Sequence, residues 1–262
     1  MISACGTGKT IIAKKTAYSL IHELNNSLII IFMPTLTLVN QFNNVWSKKH
    51  PGLNFDNEPF VFCSDKSSLN ESQKEISGID LKKLKQFLEN KSIKHKVILT
   101  TYQSSITLCN FFKYSNYLID FGIFDEAHKT VGLEDKEFAH AIYDKNILIK
   151  KRLFMTATRI ITNDNPYHQK LSRHGKVNLM DDIVTYGRVA YNLSMFDAIK
   201  KNIIKDFKLA IGVIDKDFIQ KHKELFSSGK DFYSNVMAYS YIKALKEKNI
   251  KKSIIFNSKL KI

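Results

Sequence analysis

Short apolar runs alternate with longer amphipathic stretches along the first 160 residues. Leu28–Met33, Phe60–Cys63, Lys96–Thr101, Leu118–Phe124 and Arg152–Thr156 are rich in Ile, Val, Leu and Phe. Each has the length of a strand, and the longer ones lack the in–out alternation of a half-solvated sheet. That pattern predicts strands buried on both faces of a parallel sheet. Between them, Thr10–Asn25 places Ala13, Ala17, Leu20, Ile21 and Leu24 on one stripe at helical spacing. Leu36–Trp46 and Leu81–Leu88 read as helices too. Strands alternating with helices predict an α/β fold built of βαβ units.

Farther along, Ser64–Ser77 and Asn163–Lys176 are polar and read as loops. Ser194 is placed to cap a short helix running to about Asn202. The apolar run Phe207–Ile214 reads as one more strand, followed by Lys-rich helix and a last apolar run at Ser253–Phe256. The change of character puts a domain boundary at residue 208, with residues 1–208 and 209–262 on either side.

Composition narrows the class without naming a function. The chain has 262 residues, 44% hydrophobic and 25% charged, within the range of folded globular domains. No apolar run approaches the ~20 residues that a membrane-spanning helix needs. Met1 leads straight into a Gly-containing loop, which reads as the absence of a secretory leader. Three cysteines without metal-like spacing imply a reducing, cytoplasmic setting. The net charge is +15, but 36 of the 40 basic residues are Lys and Asn and Ile are also abundant. An A/T-rich coding sequence produces that bias by itself. The excess is thus either a solvated Lys surface or an attraction for polyanions such as nucleic acid. Lys82–Lys96 is a locally basic stretch.

Chemistry concentrates in three places. In Ser3-Ala4-Cys5-Gly6-Thr7-Gly8-Lys9-Thr10, small residues let successive backbone N–H groups turn around an anion, and the helix that follows aims its positive end at it. Lys9 would reach terminal phosphates, Gly6, Thr7 and Gly8 would line the loop, and the Thr10 hydroxyl would ligate Mg²⁺. In Ile123-Phe124-Asp125-Glu126-Ala127-His128, a strand delivers Asp125 to hold Mg²⁺ and Glu126 to activate water. In Phe154-Met155-Thr156-Ala157-Thr158-Arg159, hydroxyls at a strand end can bridge to His128. Each segment also has a plain structural reading: a glycine turn, an acidic helix start and a Thr-rich strand end. Trp46 and the remaining histidines read as packing and surface, and Cys5 as a small residue in a tight loop.

The order of these segments resembles superfamily 2 helicases and translocases. Ala4–Thr10 is similar to motif I, Asp125-Glu126-Ala127-His128 to the DEAH form of motif II, and Thr156-Ala157-Thr158 to motif III. Pro34–Gln41 is similar to motif Ia, and Thr100–Ser104 to the segment after the next core strand. The phrase Tyr186–Ser194 resembles the joining segment in motor subunits of type I and type III restriction enzymes. The resemblance implies a RecA-like P-loop domain, a mostly parallel sheet flanked by helices, followed by the truncated start of a second such domain. It implies ATP and Mg²⁺ as cofactors and an ATP-hydrolysing motor that works on DNA, with RNA also open. Lys9, Asp125 and Glu126 would be catalytic, and His128, Thr156 and Thr158 would couple hydrolysis to movement. Thr35, Gln41, Thr101 and Gln103 would face the sugar-phosphate backbone, where hydroxyls and amides grip any sequence. The partners implied are the remainder of a longer motor or a restriction-type complex, with no membrane.

Three departures shape the expectation. Only Met1 and Ile2 precede Ser3, so the strand that feeds the phosphate loop is expected to be missing. Motifs V and VI, with their arginine fingers, read as absent from these 262 residues, so turnover by this chain alone is expected to be weak. Arg159 stands where a Pro often follows motif III. Two other readings stay open: a non-catalytic nucleic-acid-binding remnant, and a P-loop kinase, against which Pro34–Gln41 and Thr100–Ser104 argue.

Overall fold

The computed structural model describes residues 1–48, 55, 57–63, 79–133, 137–161, 177–207, 220 and 232–247. The loops expected over Ser64–Ser77 and Asn163–Lys176, all but the first residue of the Phe207–Ile214 strand, and the Ser253–Phe256 run lie outside them. The chain divides into two compact units, Met1–Lys205 and Asp206–Ile262.

The first unit is built on five parallel strands: β2 (Ser27–Met33), β3 (Phe60–Phe62), β4 (His95–Thr101), β5 (Ile119–Phe124) and β7 (Ile149–Phe154). Their order across the sheet is β3-β4-β2-β5-β7. All seven residues of β2 are buried. Leu28, Ile30 and Phe32 join one core, while Ile29, Ile31 and Met33 join the other. This is why the run is continuously apolar: side chains alternate across the sheet, and both faces are covered.

Helices α1 (Lys9–Ile21), α2 (Leu36–Trp46), α3 (Leu81–Glu89) and α4 (Ser105–Lys113) connect the strands. Thr35 caps α2 by accepting from Leu38 N–H, and Asp80 caps α3 by accepting from Lys82 and Lys83. Ser194 caps α6 (Met195–Lys200), after the short helix α5 (Ile183–Tyr186). Two small pairings complete the unit. β6 (Gly132–Leu133) runs antiparallel to β8 (Val177–Asn178), and β1 (Ile2–Ser3) runs parallel to β9 (Asn192–Leu193).

Two strand expectations are corrected. β7 begins at Ile149, three residues before the expected Arg152, because Lys150, Lys151 and Arg152 interrupt the apolar pattern on a strand paired on one side only. The residues ahead of the phosphate loop do form a strand, two residues long. Ile2 also bridges to Thr156, and Ser3 N–H donates to the Thr156 carbonyl at 2.9 Å. The second unit contains helix α7 (Phe232–Glu247), with an i,i+4 ion pair from Lys243 to Glu247. No described helix is long and apolar enough to cross a membrane.

Lys14 is the least expected member of the core. It sits on α1 and is fully buried. Its ammonium donates to the carbonyls of Val45, Trp46 and Lys48 at 3.3, 3.0 and 2.7 Å. Those carbonyls lie at the C-terminal end of α2, where backbone acceptors lack helical partners and the dipole is negative. Lys14 therefore ties the helix after the phosphate loop to α2. Replacing Lys14 by Met keeps the stem and strands the carbonyls. A loss of about 2–4 kcal/mol in urea unfolding is expected.

Candidate nucleotide site

The site lies at the carboxyl edge of the sheet, where ligands of open α/β folds bind. Gly6 and Gly8 adopt φ values of +78° and +84°, in the left-handed region that glycine enters freely. Gly8 caps α1, its carbonyl accepting from the N–H groups of Ile11 and Ile12. The loop is closed by hydroxyls. Thr7 donates to the Ala4 carbonyl at 2.7 Å, so Ser3, 2.6 Å away, donates to Thr7. Ser3 stands where the strict motif has Gly, and its hydroxyl acts as a latch. The Lys9 ammonium spans the loop, reaching the carbonyls of Ser3 and Ala4 at 3.2 and 3.4 Å. Cys5 is exposed on the loop as a free thiol.

Asp125 follows β5 and is 4% exposed. Its Oδ1 is buried and has no hydrogen-bond partner. Burial and the neighbouring Glu126 carboxylate push its pKa up to about 6, partly offset by a backbone hydrogen bond and by the Lys9 charge. An unpaired buried carboxylate oxygen beside a lysine is costly unless a cation arrives. That environment fits Mg²⁺, a hard cation that takes oxygen ligands.

Glu126 adopts φ 48°, ψ 47°. A non-glycine residue there is strained and costs on the order of 1–2 kcal/mol. The turn sends Asp125 inward while Glu126 stays partly exposed. Glu126 Oε2 lies 3.3 Å from His128 Nδ1, and that nitrogen is 3.0 Å from Thr156 Oγ1. The Thr156 hydroxyl donates to the Thr158 carbonyl at 2.7 Å. Its one proton is thus used, so His128 Nδ1 is the donor toward Thr156. The structure therefore brings Glu126, His128, Thr156 and Thr158 into one network.

The residues expected to face a sugar-phosphate backbone separate into two kinds. Thr35, Gln41 and Gln103 are exposed. Thr101 is 5% exposed, its hydroxyl donating to Ser104 Oγ at 3.0 Å and accepting from Ser104 N–H. The reading of Thr101 as an outward contact is corrected. Its hydroxyl closes the turn that presents Gln103, because a buried strand end must satisfy its own polar groups.

Residues 1–161 match the family described as Type III restriction enzyme, res subunit. The chain belongs to this family. No curated protein sequence matches it. Among solved structures, it is similar to a nuclease-deletion mutant of the Type ISP restriction-modification enzyme LlaGI in complex with a DNA substrate mimic. The TM-score is 0.61 and the identity 22%, over 96% of this chain and 21% of that one. It is also similar to the ATP-dependent Type ISP restriction-modification enzyme LlaBIII bound to DNA. Here the TM-score is again 0.61, with 25% identity over 79% of this chain and 14% of that one. The chain thus spans about a fifth, or less, of each of these proteins. The family match and these likenesses identify a RecA-like, superfamily 2 helicase-like motor fold near the restriction-enzyme motors.

Within this res-subunit fold, two tyrosines brace the acidic motif, and the sequence assigned neither a role of its own. Tyr102 is fully buried and donates to the Asp125 carbonyl at 2.8 Å, its ring stacked on Phe138. Tyr186 packs edge-on against Phe154. Its hydroxyl lies 2.8 Å from Thr130 Oγ1, which itself donates to the Ala127 carbonyl. Only partners distant in the chain reveal these roles. Tyr102 is 23 residues from Asp125, and Tyr186 is 56 from Thr130.

Proposed function

We propose that this chain is the ATP-binding motor domain of a restriction-type DNA helicase or translocase. The observation that carries the reading is Asp125: a buried carboxylate with an unpaired oxygen, next to Lys9 and Glu126 at the mouth of the loop. Gly6, Thr7, Gly8 and Lys9 hold ATP phosphates, the loop through its N–H groups and Lys9 through its ammonium. Thr10 and Asp125 would hold Mg²⁺, which when bound neutralises charge on the phosphate oxygens. Glu126 takes a proton from the attacking water at its carboxylate. His128 holds its Nδ1 proton between Glu126 and Thr156, so motion at Thr156 and Thr158 changes how Glu126 is placed. This network is how hydrolysis would couple to movement in a DEAH-type motor.

Thr35, Gln41 and Gln103 face a DNA backbone from the ends of β2 and β4, with Thr101 holding the turn behind Gln103. The DNA reading draws support from LlaGI and LlaBIII, both described with DNA. The remainder of a longer motor or restriction complex is the partner. Residues 209–262 are the start of a second RecA-like domain.

A titration with a fluorescent ATP analogue and Mg²⁺ tests the reading. Saturable binding is expected, and Lys9→Ala is expected to weaken it at least tenfold (~1.4 kcal/mol). Equal binding by the two proteins would sink it.

A further inference from the structure

The basic stretch Lys82–Lys96 has no part in the nucleotide site. It turns from α3 into β4 at the amino edge of the sheet, the end opposite Asp125 and the phosphate loop. A cavity of about 600 Å³ opens there, at the first residues of β2, β4, β5 and β7. Lys91, Lys94, Lys96 and Lys150 line it, with Glu89 and Asp120 as its carboxylates. Both acids are engaged. Glu89 pairs with Lys85 at 3.7 Å. Asp120 accepts from Leu28 N–H at 2.9 Å and from Lys150 at 2.8 Å. Lys91 and Lys94 are exposed and have no ion-pair partner among the described residues. The cavity therefore offers uncompensated positive charge.

Tyr117 lines this cavity and also a second one of about 760 Å³, between α3 and α4. The second is aromatic, with Phe111 and Tyr114 beside Tyr117, and amide-bearing through Asn110 and Asn116. Tyr114 is 85% exposed, so most of its ring is open to solvent. Lysines track a phosphate backbone, while exposed rings stack on unpaired bases. A duplex has no free base faces to offer, and an acidic peptide has no rings that require Tyr114.

We propose that these two cavities, joined at Tyr117, form a second DNA-binding surface, for single-stranded DNA, on the edge of the domain opposite the nucleotide site. Lys91 and Lys94 contact phosphates, and Tyr114 stacks on a base. The proposal rests on DNA as the polymer but not on ATP turnover.

Fluorescence anisotropy of a labelled 20-nucleotide oligo(dT), without nucleotide, tests it on the 262-residue chain. The Lys91→Glu/Lys94→Glu variant is expected to weaken binding at least tenfold and to flatten its salt dependence. Tyr114→Ala, at an exposed site where folding is not at risk, is expected to weaken oligo(dT) roughly 5- to 100-fold. It is expected to leave a 20-base-pair duplex nearly unchanged. Gln41→Ala/Gln103→Ala serves as the control for the carboxyl edge. Photocrosslinking of oligonucleotides carrying 5-iodouracil is expected to mark Tyr114 or Tyr117.

Wild-type affinity in the lysine and tyrosine variants would overturn the proposal. So would equal losses for duplex and single strand, or displacement of oligo(dT) by polyglutamate as readily as by unlabelled oligo(dT). That last outcome would assign the surface to an acidic protein partner. Loss of oligo(dT) binding only in the glutamine variant would leave the carboxyl-edge DNA reading standing and reject this one.

Discussion

Glu126→Gln is expected to lower the single-turnover rate of ATP hydrolysis by about 10²–10⁴-fold, the contribution of a positioned general base. Nucleotide affinity is expected to stay within a few-fold of the wild type. The asymmetry follows from geometry. Glu126 is partly exposed beside His128, whereas the proposed phosphate contacts come from the Gly6–Lys9 loop, whose lysine reaches the Ser3 carbonyl. Gln keeps the size of Glu and can still meet the His128 Nδ1 proton through its carbonyl, but it cannot take a proton from water. The backbone at Glu126 is left-handed, and Gln retains that strain. Thermal stability should therefore change little. The measurement is a single-turnover assay with enzyme in excess over ATP and with saturating DNA, next to a binding titration. A Glu126→Gln protein that hydrolyses ATP at the wild-type rate would remove Glu126 from the chemistry. A parallel fall in affinity would move Glu126 to a binding role.

Asp125→Asn has the second large effect, and it runs in two directions. In the absence of Mg²⁺ and nucleotide, the buried carboxyl titrates at about 6 in the fold, against 3.8 as its ordinary value. Between those values the folded protein holds more protons than the unfolded chain. Stability therefore falls as pH rises through that window, and the full penalty is present above it. At ~1.4 kcal/mol per pH unit the penalty approaches about 3 kcal/mol. Asn cannot ionise. Metal-free Asp125→Asn is thus expected to be more stable than the wild type at pH 7.5, by up to that amount, and close to it at pH 4. Denaturant unfolding of both proteins at the two pH values, in a chelating buffer, measures this. Parallel pH profiles would mean that the carboxylate is not penalised by burial. The same substitution is expected to abolish the Mg²⁺ dependence of nucleotide binding, because Asn offers a neutral oxygen in place of the charge. A gain in stability joined to a loss of function is the signature of a buried charge kept for its chemistry.

The family pattern was legible because its chemistry is local. The phosphate loop is a run of eight residues from Ser3 to Thr10, and the acidic motif sits directly after an apolar strand. Both-face burial of β2, β4 and β5 could be read from uninterrupted Ile, Val, Leu and Phe, since a strand covered on two sides has no polar face to show. Helix α2 was read from its apolar spacing over Leu36–Trp46, and the structure adds Thr35 as the cap of its first turn.

What escaped the sequence depends on partners far away in the chain. The start of β7 was hidden by three basic residues that an edge strand tolerates. Helix α4 has no side-chain cap at Ser104, so its start carries no local signal. The strand at Ile2–Ser3 exists only because Asn192–Leu193 and Thr156 come alongside it. A two-residue pairing is invisible until the chain has folded. Thr101 has the residue type of a backbone contact, but the sheet turns its hydroxyl inward to Ser104.

The amino-acid sequence by itself determined the family and the buried parallel sheet, and it named the residues proposed to hold phosphate, metal and water. Each of those is set by neighbours within a turn or a strand. The tertiary structure alone decided that Asp125 carries an unpaired buried oxygen, that His128 donates to Thr156, and that Lys14 ties α1 to α2. It also decided that the Lys82–Lys96 stretch opens beside Tyr114 and Tyr117. Burial, pKa and hydrogen-bond direction are properties of surroundings, and the surroundings of a residue are assembled only when distant segments pack.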